Sequence, residues 1–213
     1  MGVPLPTFCD SIVGTAGVSG QGILDKNSNL LVRRIGPQHP DRASLQQFIA
    51  DIFLRNYGAT VSHYCDTLVG CQDLEGKWVA ALGISCAKNG PTFLEQYLDA
   101  PLEREIGARI NACASRERIV EIGNLAARHT GAARALIIYM TRYLHQQGMS
   151  WVAFTATRGL LNSFTRLQIN PVVLAAADPM RLSDEGRSWG SYYDTKPQVM
   201  FADIGNGYAR LAK

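Results

Sequence analysis

One stretch of the sequence, residues 118–156, constrains the fold more than any other because it predicts two strands joined by a single helix. Residues 118–127 (RIVEIGNLAA) are apolar and partly β-branched, and residues 151–156 (WVAFTA) repeat that character, as buried strands do. Between them, residues 132–147 carry apolar side chains on one helical face, and Gly148 supplies a stop. So short a β-α-β unit requires parallel strands and a right-handed crossover.

A hairpin and several further elements are predicted around this unit. Residues 66–71 and 77–87 are apolar runs joined by the hairpin signal Asp73-Leu74-Glu75-Gly76. An early helix, with Ser44 and Gln47 spaced as a capping box, has an apolar face made of Leu45, Phe48, Ile49, Ile52 and Phe53. Further strands are predicted at residues 30–35, 92–98, 172–177 and 198–204, and further helices from about Leu102 and Arg158. We therefore expect a mixed α/β (α+β) fold.

The beginning of the chain differs in composition from the rest. Residues 1–28 are rich in Gly, Ser, Pro and Asn without a sustained period, which predicts a flexible N-terminal arm. Residues 29–213 predict a single domain, because a chain of 213 residues with 46% hydrophobic and 18% charged residues can bury one core.

Charge and cysteine content argue against several classes of protein. The formal net charge is +3 and no basic cluster is longer than Arg33-Arg34, which disfavours a nucleic-acid partner. The five cysteines are odd in number and form no C-x-x-C pair, which disfavours a disulfide framework and a metal site. The start lacks a basic, apolar leader, and no apolar run approaches the roughly 20 residues of a spanning helix. We expect a cytoplasmic protein without a transmembrane segment.

The turn between the first strand and the helix of the β-α-β unit carries the strongest chemical signal. It reads Arg128-His129-Thr130-Gly131-Ala132-Ala133. A helix start offers unpaired N–H groups and the positive end of a dipole, and a glycine there lets an anion approach the backbone. Arg128 and Arg134 can add positive charge to the same anion. The turn therefore predicts a pyrophosphate or phosphate site.

This turn resembles the pyrophosphate loop of the GCN5-related N-acetyltransferase (GNAT) superfamily, which reads Arg or Gln, two residues, Gly, one residue, then Gly or Ala. The resemblance implies a GNAT-like acyltransferase domain with a mostly antiparallel central sheet flanked by helices. Its donor would be the phosphopantetheine thioester of acyl-CoA or of an acyl-carrier protein, with no tightly bound cofactor. The pantetheine arm would lie between residues 119–127 and 151–156. The residues that this resemblance assigns to the donor are Leu125, Ala127, Arg128, His129, Thr130, Gly131, Ala132, Ala133, Arg134 and Asn162.

Four longer motifs resemble the thermostable hemolysin family, which is similar to acyl-homoserine lactone synthases. The motifs are FLEQYLD at residues 93–99, VEIGNLA at 120–126, FTAT at 154–157 and SWGSYYD at 188–194. The resemblance covers most of the chain after residue 30, and the four motifs occur in the same order as in the family. The family is named for haemolysis, yet the sequence shows no pore-forming element.

Acyl transfer to an amine needs a base, oxyanion donors and an acid for the leaving thiolate. Glu121 precedes the loop on its strand, where the superfamily often keeps its base, and Glu95 lies in an apolar segment where burial would raise its pKa. Asn124 is a candidate oxyanion donor. Because strand residues alternate between two faces, each carboxylate could also face solvent. Asn124 could equally cap the end of the strand.

The remaining candidates are aromatic or hydroxyl-bearing. An acyl or acceptor pocket could be lined by Trp189, Tyr192 and Tyr193, or these side chains could pack in the core. His63 could do acid–base work or be structural. The tyrosine that the superfamily uses as acid, on the helix after the second strand, is missing, which leaves Ser163, Thr165, the Tyr192-Tyr193 pair or water.

Three functions remain open from the sequence. The first is an acyltransferase whose acceptor is the amine of a small molecule such as an amino acid derivative. The second is a membrane-active haemolysin, which would need an exposed amphipathic segment. The third is a catalytically silent fold member that binds an acyl ligand.

Overall fold

Eight strands form one sheet in the computed structural model, which describes residues 22–23 and 30–211. Their order across the sheet is β1-β2-β3-β4-β5-β6-β8-β7. The strands are β1 (Gly22–Ile23), β2 (Leu31–Ile35), β3 (Thr67–Gln72), β4 (Trp78–Cys86), β5 (Ile119–Ala127), β6 (Trp151–Ala156), β7 (Val172–Ala176) and β8 (Gln198–Asp203). Among the described strands, β5 and β6 are the one parallel pair, and the other neighbours are antiparallel.

Helices cover both faces of this sheet. They are α1 (Arg42–Tyr57), α2 (Leu102–Ile110), α3 (Thr130–Gln146), α4 (Arg158–Arg166) and α5 (Ile204–Leu211). Helix α1 packs with residues such as Leu68 and Ala126 on one face, and α3 packs with residues such as Leu82 and Val120 on the other. The predicted mixed fold, with a mostly antiparallel sheet and a parallel β-α-β unit, is confirmed.

The parallel pair separates part of the way along. Its register runs from Ile119 opposite Trp151 to Ile122 opposite Phe154 and stops there. Beyond that point β5 continues to pair with β4, and β6 continues to pair with β8. The two strands therefore diverge, and a gap opens between residues 123–127 and the end of β6.

A β-bulge in β5 lies beside this gap. Ala81 faces Ala126 and Gly83 faces Gly123, so that two residues of β5 stand opposite one residue of β4. Asn124 takes the left-handed conformation there, with φ of 51°, which asparagine tolerates better than most residues. The bulge shifts the strand's alternation by one residue and directs the side chain of Leu125 to the α3 face.

Three predicted elements differ from the structure. The strand predicted at residues 92–98 is wrong: Phe93–Tyr97 form a 3₁₀ helix, because Thr92 and Glu95 make a reciprocal capping box that starts a helical turn. The capping box predicted at Ser44 is also wrong, since α1 begins at Arg42 after Asp41.

The strand predicted at residues 198–204 ends at Asp203, and an unpredicted helix, α5, follows it. The Asp203 carboxylate accepts the N–H of Asn206 and so caps the first turn of that helix. The predicted arm, residues 1–28, lies outside the described residues apart from β1, which pairs with β2.

Candidate active site

A cavity of about 200 Å³ passes through the sheet where β5 and β6 diverge. Gly123, Asn124 and Thr155 line it at the level of the sheet. On the face covered by α1, it is lined by Phe53, Tyr57, His63, Cys65, Phe93, Tyr97, Glu121, Trp189 and Tyr192. Apolar side chains of α3, β6 and α5 line the part on the opposite face.

Glu121 is the buried carboxylic acid of this cavity. It lies in β5 just before the gap, and only 4% of the residue is exposed. The N–H of Leu94 donates to its Oε2 at 3.4 Å. Burial raises the pKa of Glu121 to about 7, and hydrogen bonds from the 3₁₀ helix and from Thr92 offset the rise in part. The group can therefore exchange a proton near neutral pH.

Glu95 has a different environment from the one expected. Its carboxylate accepts the N–H groups of Thr92 and Leu102, at 2.7 and 2.8 Å, and binds Arg116 at 2.7 Å. The expected rise in pKa is wrong: burial acts in that direction, but the hydrogen bonds and the charge of Arg116 outweigh it, so the pKa of Glu95 is lowered. Glu95 does not line the cavity and holds the 3₁₀ helix in place.

Asn124 connects the bulge to the segment before β3. Its Oδ1 accepts the N–H of Cys65 at 2.9 Å, and its Nδ2 donates to the carbonyl of His63 at 3.0 Å. The ring of His63 stacks on Phe93 with centroids 4.8 Å apart, and burial lowers its pKa. Both residues line the cavity, while the amide of Asn124 is engaged with the backbone.

The loop after β5 forms the start of α3. The Nδ1 of His129 accepts the N–H of Ala132 at 3.1 Å and caps the helix. The first N–H groups of the helix, those of Thr130 and Gly131, precede its first internal hydrogen bond, from the N–H of Ala133 to the carbonyl of His129. These exposed amides lie where an anion could approach the helix.

The two arginines and the asparagine predicted to bind the donor lie in three different environments. The Nε of Arg128 donates to the carbonyl of Trp78 at 2.9 Å, and its guanidinium lies 5.9 Å from the Phe48 ring. Arg134 is exposed in the first turns of α3. Asn162 is exposed on α4 and does not line the cavity. Leu125 lines it, whereas Ala127 packs under α3.

Aromatic side chains form the walls around Glu121. Trp189 and Tyr192 pack against Phe53 of α1, with centroids 6.2 and 6.3 Å from its ring. The hydroxyls of Tyr97 and Tyr193 share a hydrogen bond of 2.7 Å, and burial, followed by that bond, raises the pKa of Tyr97, so its hydroxyl stays protonated. The site prediction omitted Tyr97 and Phe93, although both belong to the FLEQYLD motif.

Other nucleophilic or proton-donating groups are engaged elsewhere. Burial raises the pKa of the Cys65 thiol to about 12, and the negative charge of Glu121 adds to the rise. The thiol is therefore protonated at neutral pH and is not a nucleophile. Ser163 and Thr165 donate to carbonyl groups of their own helix. Within residues 30–211, Cys65, Cys71, Cys86 and Cys113 are free, and no group of three or more potential ligands could hold a metal ion.

The diverging parallel pair, the bulge beside it and the helix that begins at the loop define a GNAT-like fold. Solved structures share it. The acyl-homoserine lactone synthase LasI matches with a TM-score of 0.57 and 13% identity over 83% of this chain and 91% of its own. FeeM, an N-acyl amino acid synthase from uncultured soil microbes, matches with a TM-score of 0.54 and 12% identity over 85% and 95%.

A third solved structure is BjaI, a CoA-dependent acyl-homoserine lactone synthase with SAM and isopentyl-CoA. It matches with a TM-score of 0.54 and 16% identity over 84% of this chain and 85% of its own. At such identities these likenesses show the fold. Comparison with curated protein sequences found no significant match.

The chain itself belongs to the thermostable hemolysin family, whose model matches residues 35–208. This confirms the resemblance seen in the four motifs. Across the described residues, no helix is both long enough and apolar enough to cross a membrane.

Proposed function

We propose that this protein transfers an acyl group from a phosphopantetheine thioester to the amine of a small molecule such as an amino acid derivative. The observation that carries the proposal is Glu121, a buried carboxyl whose pKa is raised to about 7 and which lies at the gap between β5 and β6. A base poised near neutral pH is what removal of a proton from an ammonium group requires.

The donor binds along the α3 side of the β-α-β unit. The N–H groups of Thr130 and Gly131 receive the phosphate or pyrophosphate, with Arg128 and Arg134 contributing charge. The pantetheine arm enters the gap, where β5 and β6 no longer pair and can bond to its amides. This placement brings the thioester towards Glu121.

The acceptor binds among the aromatic side chains on the α1 face. Its ammonium group lies against aromatic rings such as Trp189 and gives a proton to the Glu121 carboxylate. The free amine attacks the thioester carbon, and the nitrogen of the tetrahedral intermediate loses its second proton to water. Collapse of that intermediate breaks the carbon–sulfur bond. Because the superfamily's tyrosine is missing from α4, Glu121 returns the proton to the departing thiolate.

The related structures support this choice of substrates. BjaI is described as CoA-dependent, and FeeM as an N-acyl amino acid synthase. Acyl-CoA and an acyl-carrier protein are the two donors to be compared.

The free thiols of Cys65, Cys71, Cys86 and Cys113 support a reducing compartment, and we place the reaction in the cytoplasm.

The test is turnover with a matrix of donors and amines. Purified protein is incubated with acyl-CoA or acyl-carrier protein and a panel of amino acid derivatives, while thiol release and N-acyl product are followed. We expect kcat/KM to rise with pH through a midpoint near 7, and Glu121→Gln to lower it about 100-fold or more. Arg128→Glu should instead raise KM for the donor by weakening anion binding.

Three outcomes would contradict the proposal. Absence of turnover with every donor, together with no thermal shift on adding CoA, would reject acyl transfer. A thioester that binds and survives unchanged would indicate the catalytically silent protein. Leakage of liposomes by the purified protein without substrates would indicate the membrane-active one.

A further inference from the structure

The part of the cavity on the α3 face of the sheet has walls that differ from those around Glu121. We call it the rear chamber, and it is lined by Ile137, Met140, Thr141, Leu144, Val152, Phe154, Ala202, Ile204 and Gly207. Eight of these nine residues carry no polar side-chain atom. The hydroxyl of Thr141 donates to the carbonyl of Ile137 at 2.9 Å, so the chamber offers a ligand apolar surface.

Asp203 lies next to Ala202 and Ile204 of the rear chamber, and its carboxylate is already engaged. It lies at the end of β8 and lines the cavity. Its Oδ1 accepts the N–H of Asn206 at 2.6 Å as the cap of α5. An apolar ligand can therefore occupy the chamber without leaving this carboxylate unpaired.

The rear chamber is continuous with Glu121 through the gap. Alternation along β5 places Glu121 on the α1 face and Ile122 on the α3 face, and the gap opens directly after them. A thioester carbon beside Glu121 therefore has its acyl chain directed through the sheet, between Leu125 and Thr155.

Gly207 faces α3 where α5 covers this chamber. It is buried, and a Cβ built on it would lie 3.3 Å from Cγ2 of Thr141. Any larger side chain at this position would occupy the chamber or push α5 off α3. Ala209, two residues later on α5, is exposed and does not line the cavity.

The geometry points to a donor with an acyl chain of several carbons, housed in the rear chamber, and to Gly207 as the residue that sets the longest chain accepted. The inference rests on the proposed function and names the class of donor. Each methylene group buried in such a chamber improves binding about 4-fold, so selectivity should rise steeply with chain length and then fall at the end wall.

The experiment compares acetyl, butyryl, octanoyl and dodecanoyl thioesters on the wild-type protein and on variants at α5. We expect wild-type kcat/KM for octanoyl to exceed that for acetyl at least 100-fold. Gly207→Val should lower kcat/KM for the longest accepted chain at least 10-fold while changing that for acetyl less than 3-fold. Ala209→Val, which enlarges a side chain on the exposed side of the same helix, is the matched control and should leave the profile unchanged. If Gly207→Val does not fold, Thr141→Leu fills the chamber from α3 and takes its place.

Binding of the same thioesters, measured by calorimetry, separates this inference from the proposed function. Turnover that is fastest with acetyl, or a length profile that neither Gly207→Val nor Thr141→Leu shortens, overturns the inference and leaves acyl transfer standing. In another outcome, octanoyl-CoA binds at least 10-fold more tightly than acetyl-CoA and loses this advantage in Gly207→Val, yet neither thioester is turned over. That result supports the acyl-binding role of the rear chamber and rejects the proposed acyl transfer. Equal binding of both thioesters overturns the inference.

Discussion

The carboxyl of Glu121 has two consequences at the residue scale, one for chemistry and one for stability. Its pKa is about 7 in the folded protein against an ordinary 4.5. Between these values the folded state holds a proton that the unfolded state has lost, so the stability it contributes is fully present below pH 4.5 and is lost as the pH rises through 7. The loss is about 3 kcal/mol.

We therefore predict that Glu121→Gln flattens the pH dependence of unfolding. A glutamine keeps the size of the side chain but never becomes a buried anion, so the variant should gain stability relative to the wild type as the pH rises from 5 to 8. Urea denaturation at several pH values measures the difference. A constant difference between the two proteins over that range would show that Glu121 does not titrate near neutrality.

The sequence predicted the position of Glu121 on its strand but not its burial. Alternation assigns the residues of β5 to two faces of the sheet, but it does not determine which face is buried. The bulge at Asn124 has no signature in the sequence. Glu95 shows the opposite error. Its partner Arg116 lies 21 residues away in sequence, so the contact that lowers its pKa depends on tertiary structure.

At the scale of elements, the 3₁₀ helix Phe93–Tyr97 supplies the hydrogen bonds that hold the Glu121 carboxyl. Arg116 joins this helix to the start of α2, because its guanidinium binds both Glu95 and Glu103 and donates to the carbonyl of Gly90 at 2.6 Å. The apolar spacing of TFLEQYL suits a strand as well as a helical turn. The reciprocal contact of Thr92 and Glu95 decides in favour of the helical turn.

We predict that Arg116→Gln loosens this helix and changes Glu121 at a distance. Loss of the charged hydrogen bonds should cost about 1 to 3 kcal/mol of stability, and weaker donation from the 3₁₀ helix should move the midpoint of the pH–rate profile upwards. Arg187→Gln is the matched control, since its ion pair with Glu185 is exposed and should contribute less than about 1 kcal/mol. If Arg116→Gln lowers the stability but leaves the midpoint of the pH–rate profile unchanged, the role of Arg116 is structural only.

For the whole molecule, the cavity joins segments that are distant in the chain. The β-α-β unit follows from periodicity and a short connection, so the sequence predicts it well, whereas the gap between its strands is implied only by the family resemblance. The aromatic walls do not follow from local pattern, because Phe53 and Trp189 meet only when the loop of residues 188–191 docks on the end of α1. Two backbone hydrogen bonds make that contact, from Ser191 to Tyr57 at 2.8 Å and from Thr60 to Ser188 at 2.7 Å.

Gly190 is the residue that permits this docking. Its φ is 51°, and a Cβ on it would lie 2.0 Å from the carbonyl oxygen of Tyr57, a distance that no side chain can adopt. Gly190→Ala must therefore separate the loop from α1, and we predict a loss of about 2 to 4 kcal/mol of stability together with a red shift in the emission of Trp189. Gly36→Ala is the matched control, because a Cβ there meets nothing within 4 Å, and it should change stability by less than about 0.5 kcal/mol. Denaturation followed by tryptophan fluorescence measures both quantities, and if the two variants behaved alike the loop would not depend on this contact.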